Sequence, residues 1–280
     1  MNFADLHLHS RYSDGSDTVE ELFQNLIKNN IRIFALTDHD SVRGVAELQK
    51  YAEGKAKAIT GVEFSCLDHG DPCHILAYGF DLNNEKLLSL LKKGDDLRLL
   101  NFQNRRDHLQ KVHGIIFTEE ELTWLYSLPK IGKPHIAKIL IQRGLATDTS
   151  DVIRRFLDGC KDGDVRLPAS EVIPVILEAG GIPVWAHPLG GEGEKHLSEA
   201  EFDALLPRLI AYGIKGMECY YSRYTKAEID FLLQKAKEKH LSVSGGSDYH
   251  GKNKTVILGE LCSEELTVTA DMLSVLHLLY

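Results

Sequence analysis

The sequence predicts an α/β protein: a mainly parallel sheet, closed as a barrel or doubly wound, with a helical subdomain inserted into it. About seven strand-like segments alternate with amphipathic helical ones, the pattern of βαβ construction. Residues 84–165 interrupt that alternation with helical patterning and no convincing strand. Histidines and carboxylates also cluster where the strands end, the face on which parallel α/β folds gather their functional groups.

Taken in order, Phe3, Leu6 and Leu8 make residues 3–8 a buried strand, and His7 and His9 project together from one side of it. Thr18 and Glu21 form a capping box, and Val19, Leu22, Phe23, Leu26 and Ile27 give the helical stripe behind it. A strand is expected at 31–37, a helix at 42–53, and strands at 57–63 and 73–79. After the interruption come a helix at 170–180 and a strand at 182–186. A helix at 199–212 follows, capped by Ser198 with Glu201, and then a strand at 214–219. A helix at 225–240, capped by Thr225 with Glu228, and a strand at 241–246 complete the series. The expected organisation is therefore one domain from residues 1–83 and 166–280, with 84–165 as an inserted helical subdomain for substrate recognition.

Composition sets the class. A chain of 280 residues with 43% apolar and 26% charged residues can bury a large core and is neither disordered nor fibrous. No run approaches the ~20 apolar residues of a membrane span, and the start lacks the charged and apolar regions of an export signal. Five scattered cysteines without a CxxC pair suit reduced thiols, so the expected location is the cytoplasm, with no membrane and no obligate protein partner. The whole chain has a net charge of −9, but residues 98–155 hold ten Lys/Arg against six Asp/Glu, a net of +4 that leaves −13 for the rest. That asymmetry suggests an inserted subdomain facing an anion.

The clusters carry the chemistry. His7 and His9 end the first strand, His39 lies in TDHD after the second, and Glu63 lies in GVEFS. His74 opens an apolar strand, His187 lies in VWAHP, and Asp248 and His250 lie in GGSDYHG. Asp14 sits in the turn after the first strand. Any one of these has a plain structural explanation, such as a solvated edge histidine, a core histidine or a turn aspartate. Six histidines and three carboxylates at one face are more than a single ion needs, and they suit two or three divalent ions such as Zn, Mn or Fe. Six other histidines, at 69, 108, 113, 196, 240 and 277, lack such context and are expected at the surface.

The segments DLHLHSRYSDG, ALTDHDSVRG, GVEFS, AHPLGG and GSDYHG closely resemble the polymerase and histidinol phosphatase (PHP) family of metal-dependent phosphoesterases over residues 1–80 and 168–251. The insertion with GKPHIAKILIQRG resembles the nucleotide-directed branch, which holds 3′,5′-nucleotide bisphosphate phosphatases and a 5′-to-3′ exoribonuclease. The resemblance implies a distorted seven-stranded (β/α) barrel and a trinuclear centre. One ion would use His7, His9, Glu63 and Asp248. A second would share Glu63 with His74 and His187, and a third would use Asp14, His39 and His250. Glu63 would be the bridging carboxylate, and Asp248 a ligand that also handles a proton. Some family members carry histidine where this chain has Asp14.

The expected activity is hydrolysis of a nucleotide phosphate ester by metal-activated water. The favoured substrates are the 3′-phosphate of a nucleoside 3′,5′-bisphosphate and the 5′ end of a short RNA. Pro134 suits the first turn of a helix, Lys133 precedes it, and His135 and Arg143 lie two turns apart, so these three are the expected contacts to a second phosphate. A small phosphomonoesterase such as a histidinol-phosphate phosphatase could use the same centre. A non-catalytic, metal-stabilised binding module is disfavoured because all nine ligand positions hold competent residues.

Overall fold

The computed structural model describes residues 3–192, 194–264 and 266–279. It is a mixed α/β structure whose contacts divide the chain into two compact units, residues 1–91 with 167–280, and residues 92–166. In the first unit, β1 (Phe3–Leu8), α1 (Val19–Lys28), β2 (Ile31–Leu36), α2 (Val45–Ala52) and β3 (Lys57–Ile59) come first. They form a three-stranded parallel sheet in the order β1-β2-β3. The capping box of Thr18 and Glu21 starts α1 as the sequence requires. The apolar stripe of α1 packs with Leu8, Phe34, Leu36 and Leu48 in a core cluster.

Next come β4 (Gly61–Asp68) and β5 (Asp71–Tyr78), and the second unit then interrupts the series. Beyond it lie β6 (Leu167–Pro168), α7 (Ala169–Glu178), β7 (Ile182–Ala186), α8 (Glu199–Tyr212), β8 (Gly216–Tyr221), α9 (Lys226–Glu238) and β9 (Ser242–Gly246). The second sheet runs β6-β4-β5-β7-β8-β9. Every residue of β7 and β8 is buried, as in strands covered on both faces. Backbone bonds also link the two sheets. The N–H groups of Asp248 and His9 donate to the carbonyls of His7 and Tyr249, each at 2.9 Å, which sets β9 beside β1. On the other side, Asp40 N–H donates to Glu63 O at 2.8 Å beside a parallel bridge between His39 and Glu63.

Pairing is mainly parallel, as expected, but β5 runs antiparallel to both β4 and β7. His69 and Gly70 form the turn between β4 and β5 at φ of 49° and 95°, and a two-residue connection of that kind can only return the chain antiparallel. The strand expected at 57–63 is two strands in different sheets. The break falls at Thr60, just before Gly61, where any Cβ would meet Leu36 O at 2.6 Å, so the backbones cross too closely for a side chain.

The second unit is helical. Its boundary falls inside α3 (Glu85–His113), followed by α4 (Glu119–Ser127), α5 (Lys133–Gln142), α6 (Thr149–Val152) and a π-type turn at Ile153–Leu157. Phe102, Leu109, Leu125, Ile136, Leu140 and Val152 make its own core, all at 0% exposure. Each such side chain gains about 1.5–3 kcal/mol by burial, so the insertion has a hydrophobic nucleus independent of the sheets.

Candidate metal centre

Period-two alternation places the His7 and His9 rings side by side, with centroids 5.2 Å apart. Beneath the following loop lies Asp38, whose carboxylate accepts hydrogen bonds from Ser10 N–H (2.7 Å), Ser10 Oγ (2.7 Å) and Ser13 Oγ (2.6 Å). These bonds fold residues 10–13 back and present Asp14 to the rings. Two residues of the centre hold backbone conformations that L side chains rarely adopt: His187 at φ 25° and Asp248 at φ 57°. Strain of this kind persists only where the surroundings impose it, and it concentrates at functional sites.

Glu63 stands at the middle. Its Oε2 lies 3.3 Å from both His7 Nε2 and His9 Nε2 and 3.0 Å from His39 Nδ1. Its Oε1 lies 2.9 Å from His74 Nδ1 and 3.0 Å from His187 Nε2. Asp248 Oδ1 sits 3.6 Å from His7 Nε2 and 3.3 Å from both His9 Nε2 and His250 Nδ1. Asp14 Oδ1 faces His250 Nε2 at 3.2 Å, and its Oδ2 faces His39 Nε2 at 3.7 Å. The structure thus brings all nine candidate residues together from β1, β4, β5 and the loops after β1, β2, β7 and β9. The clusters differ from the implied grouping: His39 converges with Glu63 and His74, and Glu194 with His74 and His187. His9 turns Nε2 to Glu63 and Asp248 but Nδ1 to Asp14, so it converges with Asp14, His39 and His250 as well as with His7 and Glu63.

The chemistry of this set fits divalent cations. His7 Nε2, His9 Nε2, His39 Nδ1, His250 Nε2 and Glu63 Oε2 are buried and make no hydrogen bond; the first three face Glu63 Oε2, and His250 Nε2 faces Asp14. Buried polar atoms are normally satisfied, and orphans gathered among nitrogen and oxygen ligands mark a place built for ions. The protonation states reinforce this. Burial would raise the Glu63 carboxyl, but His39, His7 and His74 pull it well below the usual range. Asp14 and Asp248 are likewise held ionised despite burial, Asp14 chiefly by His250 and His39, and Asp248 chiefly by Lys254 and His250. Burial pushes His39 down to about 3, leaving it neutral and able to ligate. For His9 burial acts downward too, but Asp248 and Glu63 outweigh it and lift the ring to about 9. His187 is lifted against burial to about 10 by Glu194 and Glu63.

Four participants escaped the sequence reading. Glu194 faces His187 Nδ1 at 3.3 Å and His74 Nε2 at 3.7 Å, from a glycine-rich loop whose sequence carries no signal. Lys254 Nζ and Tyr221 Oη donate to Asp248 Oδ2 at 2.7 and 2.9 Å. Glu218 sits in mid-strand in GMECYY at 0% exposure, and an acidic residue in so apolar a strand was a readable signal.

The expected second-phosphate trio is not assembled. Lys133 opens α5 and pairs with Asp164 at 3.1 Å, while His135 Nδ1 accepts from Gly132 N–H at 3.0 Å and caps the helix. Arg143 lies at the other end, roughly 15 Å along the axis at 1.5 Å per residue. There its guanidinium forms a two-pronged ion pair with Glu121 and donates to Ile116 O at 2.9 Å. Spacing alone could not foresee that a carboxylate from α4 would claim it.

Known proteins resemble this chain over most of its length. The family profile described as PHP domain matches residues 5–167. The chain is 31% identical over 250 residues to a 5′-3′ exoribonuclease of Haemophilus influenzae, covering 88% of this chain and 89% of that protein. It is 28% identical over 255 residues to a phosphoribosyl 1,2-cyclic phosphate 1,2-diphosphodiesterase of Eggerthella lenta, covering 89% and 94%. It is also 28% identical over 250 residues to a 3′,5′-nucleoside bisphosphate phosphatase of Chromobacterium violaceum, covering 88% and 86%. A solved structure from Bifidobacterium adolescentis, described as that of a metal-dependent phosphoesterase, superposes with a TM-score of 0.81 at 27% identity, covering 99% of this chain and 96% of that one. With its nine converging side chains and these relatives, the chain belongs to the PHP family of metal-dependent phosphoesterases.

Proposed function

We propose that this enzyme hydrolyses a nucleotide phosphate ester at the centre around Glu63, either the 3′-phosphate of a nucleoside 3′,5′-bisphosphate or the 5′ end of a short RNA. The observation that carries the reading is the set of five orphaned buried atoms, four imidazole nitrogens and one carboxylate oxygen, with three of the nitrogens facing that oxygen. Two or three divalent ions are the proposed occupants, held by His7, His9, Glu63 and Asp248, by Glu63, His74 and His187, and by Asp14, His39 and His250, with His9 beside the last group. Bound there, such ions would neutralise the phosphate and bring the pKa of water towards neutrality.

The chain's own residues do the rest. Glu63 presents its two oxygens to different imidazoles, Oε1 to His74 and His187 and Oε2 to His7, His9 and His39, and serves as the bridge. Lys254 and Tyr221 both hold Asp248 Oδ2, which keeps this carboxylate ionised, so it suits a ligand and proton acceptor more than a proton donor. Lys133 and His135, neighbours in the first turn of α5, remain the proposed contacts to a second phosphate, and Arg143 leaves that set. We further read the links between β1 and β9 and between the His39 segment and β4 as closing a distorted seven-stranded barrel. The helical insertion is read as the substrate-recognition subdomain, and the free cysteines as those of a cytoplasmic enzyme.

The test is turnover of the metal-loaded protein on a panel: a nucleoside 3′,5′-bisphosphate, a 3′-monophosphate, a 5′-phosphorylated short RNA, a ribose 1,2-cyclic phosphate and histidinol phosphate. The highest kcat/KM is expected on the bisphosphate or the RNA. The cyclic phosphate as best substrate would favour the activity named for the Eggerthella lenta relative, and histidinol phosphate would make the chain a small phosphomonoesterase.

A further inference from the structure

Glu218 is a buried carboxylate outside the nine proposed ligands. It lies on β8 at 0% exposure, in a strand whose every residue is buried. A carboxylate there is costly unless hydrogen bonds replace its water, and two do so. Its Oε2 accepts from the backbone N–H of His187 at 2.7 Å, where the chain holds φ 25°. Its Oε1 lies 3.0 Å from His7 Nδ1. Glu218 therefore touches two of the candidate ligands, from β1 and from the end of β7, without facing the point on which the nine converge.

The contact with His7 has a chemical consequence. An ionised carboxylate only accepts hydrogen bonds, so the imidazole must carry its proton on Nδ1. In the neutral ring, Nε2 then holds the lone pair, and Nε2 is the nitrogen that faces Glu63 Oε2 and Asp248 Oδ1 and makes no hydrogen bond of its own. We propose that Glu218 is a positioning residue: it fixes His7 as the Nδ1–H tautomer, aims Nε2 into the centre, and holds the strained His187 backbone in the same grip. This rests on the metal reading of the centre and specifies how one of its ligands is prepared.

The informative substitution is Glu218→Gln, which conserves volume and can still accept from His187 N–H. Its amide NH2 would then meet His7 Nδ1 and donate to it, driving the ring proton to Nε2, the atom a cation needs. Outer partners of this kind affect metal affinity by about 10–100-fold. The experiment titrates wild type and Glu218→Gln with Zn²⁺ against a competing chelator, follows Tm with and without metal, and records long-range ¹H–¹⁵N spectra of His7. We expect Glu218→Gln to bind Zn²⁺ about 10–100-fold more weakly, with a smaller metal-induced rise in Tm and an almost unchanged metal-free Tm. A purely structural tether would lower the metal-free Tm and leave the affinity of the folded protein alone. The wild-type spectrum decides even if the variant does not fold: a proton on Nδ1 of Zn²⁺-loaded His7 supports the proposal, and a proton on Nε2 overturns it. Normal Zn²⁺ affinity in a folded Glu218→Gln also overturns it, leaving the metal reading intact. A wild type that binds no ion overturns both.

Discussion

Glu63 accepts the attention of five imidazoles, those of His7, His9, His39, His74 and His187, all within 3.3 Å of its two oxygens. Replacing it with Gln removes the charge that stands between the proposed cations while keeping the volume. Glu63→Gln is expected to lower kcat by at least about 100-fold, with circular dichroism unchanged. Near-normal kcat would remove Glu63 as the bridge. A different buried carboxylate predicts a pH effect. Burial raises Asp5 to about 6, against hydrogen bonds from Ser247, His7 and Gly259 that act the other way. A folded pKa above the unfolded value means that this group's stabilisation is complete below about pH 4 and is lost as pH rises through 6. In chelator, wild type should therefore lose roughly 3 kcal/mol relative to Asp5→Asn between pH 4 and 7. Parallel urea-unfolding curves for the two proteins across that range would refute the assignment.

At the level of elements, the centre depends on how closely β9 lies against β1. A Cβ at Gly246 would fall on His7 itself, both on its Cβ and on its backbone. Gly246→Ala must push the strands apart, at a cost of about 1–3 kcal/mol for overpacking. Because β1 carries His7 and His9, the same change should weaken metal retention. Urea midpoints together with metal content after dialysis would check this, and a stable variant with full metal would show that the two strands can separate freely. The elements also show what periodicity transmits. The capping boxes at Thr18, Ser198 and Thr225 were readable because they involve residues three apart. The reversal of β5 was hidden because strand patterning is the same in either direction. The Arg143–Glu121 pair was hidden because it joins two helices whose packing no local pattern encodes.

Across the whole molecule, the metal-free centre is a set of imidazoles competing for protons. With His9 lifted to about 9 and His187 to about 10, protons occupy positions that cations need at neutral pH. Metal binding should release protons, and affinity should rise as pH increases from 6 towards 9. Calorimetric Mn²⁺ titration in two buffers of different ionisation enthalpy would measure the release; none at pH 7 would contradict the protonated state. Chelation should abolish turnover, and readdition of metal should restore it.

The sequence by itself singled out nine candidate ligands for one face, because period-two strands and strand-end loops dictate where a side chain points. It also pointed to a helical segment interrupting the strands, since a long stretch without strand character cannot belong to a sheet. Tertiary structure decided what depends on residues distant in the chain. It placed Lys254 and Tyr221 on Asp248, Glu194 beside His74 and His187, and Glu218 behind His7. It also occupied Arg143 with Glu121. A hydrogen bond is satisfied by whichever partner the fold brings within about 3 Å. Such a partner leaves no periodic trace in the sequence, so these contacts existed only once the strands and helices were in place.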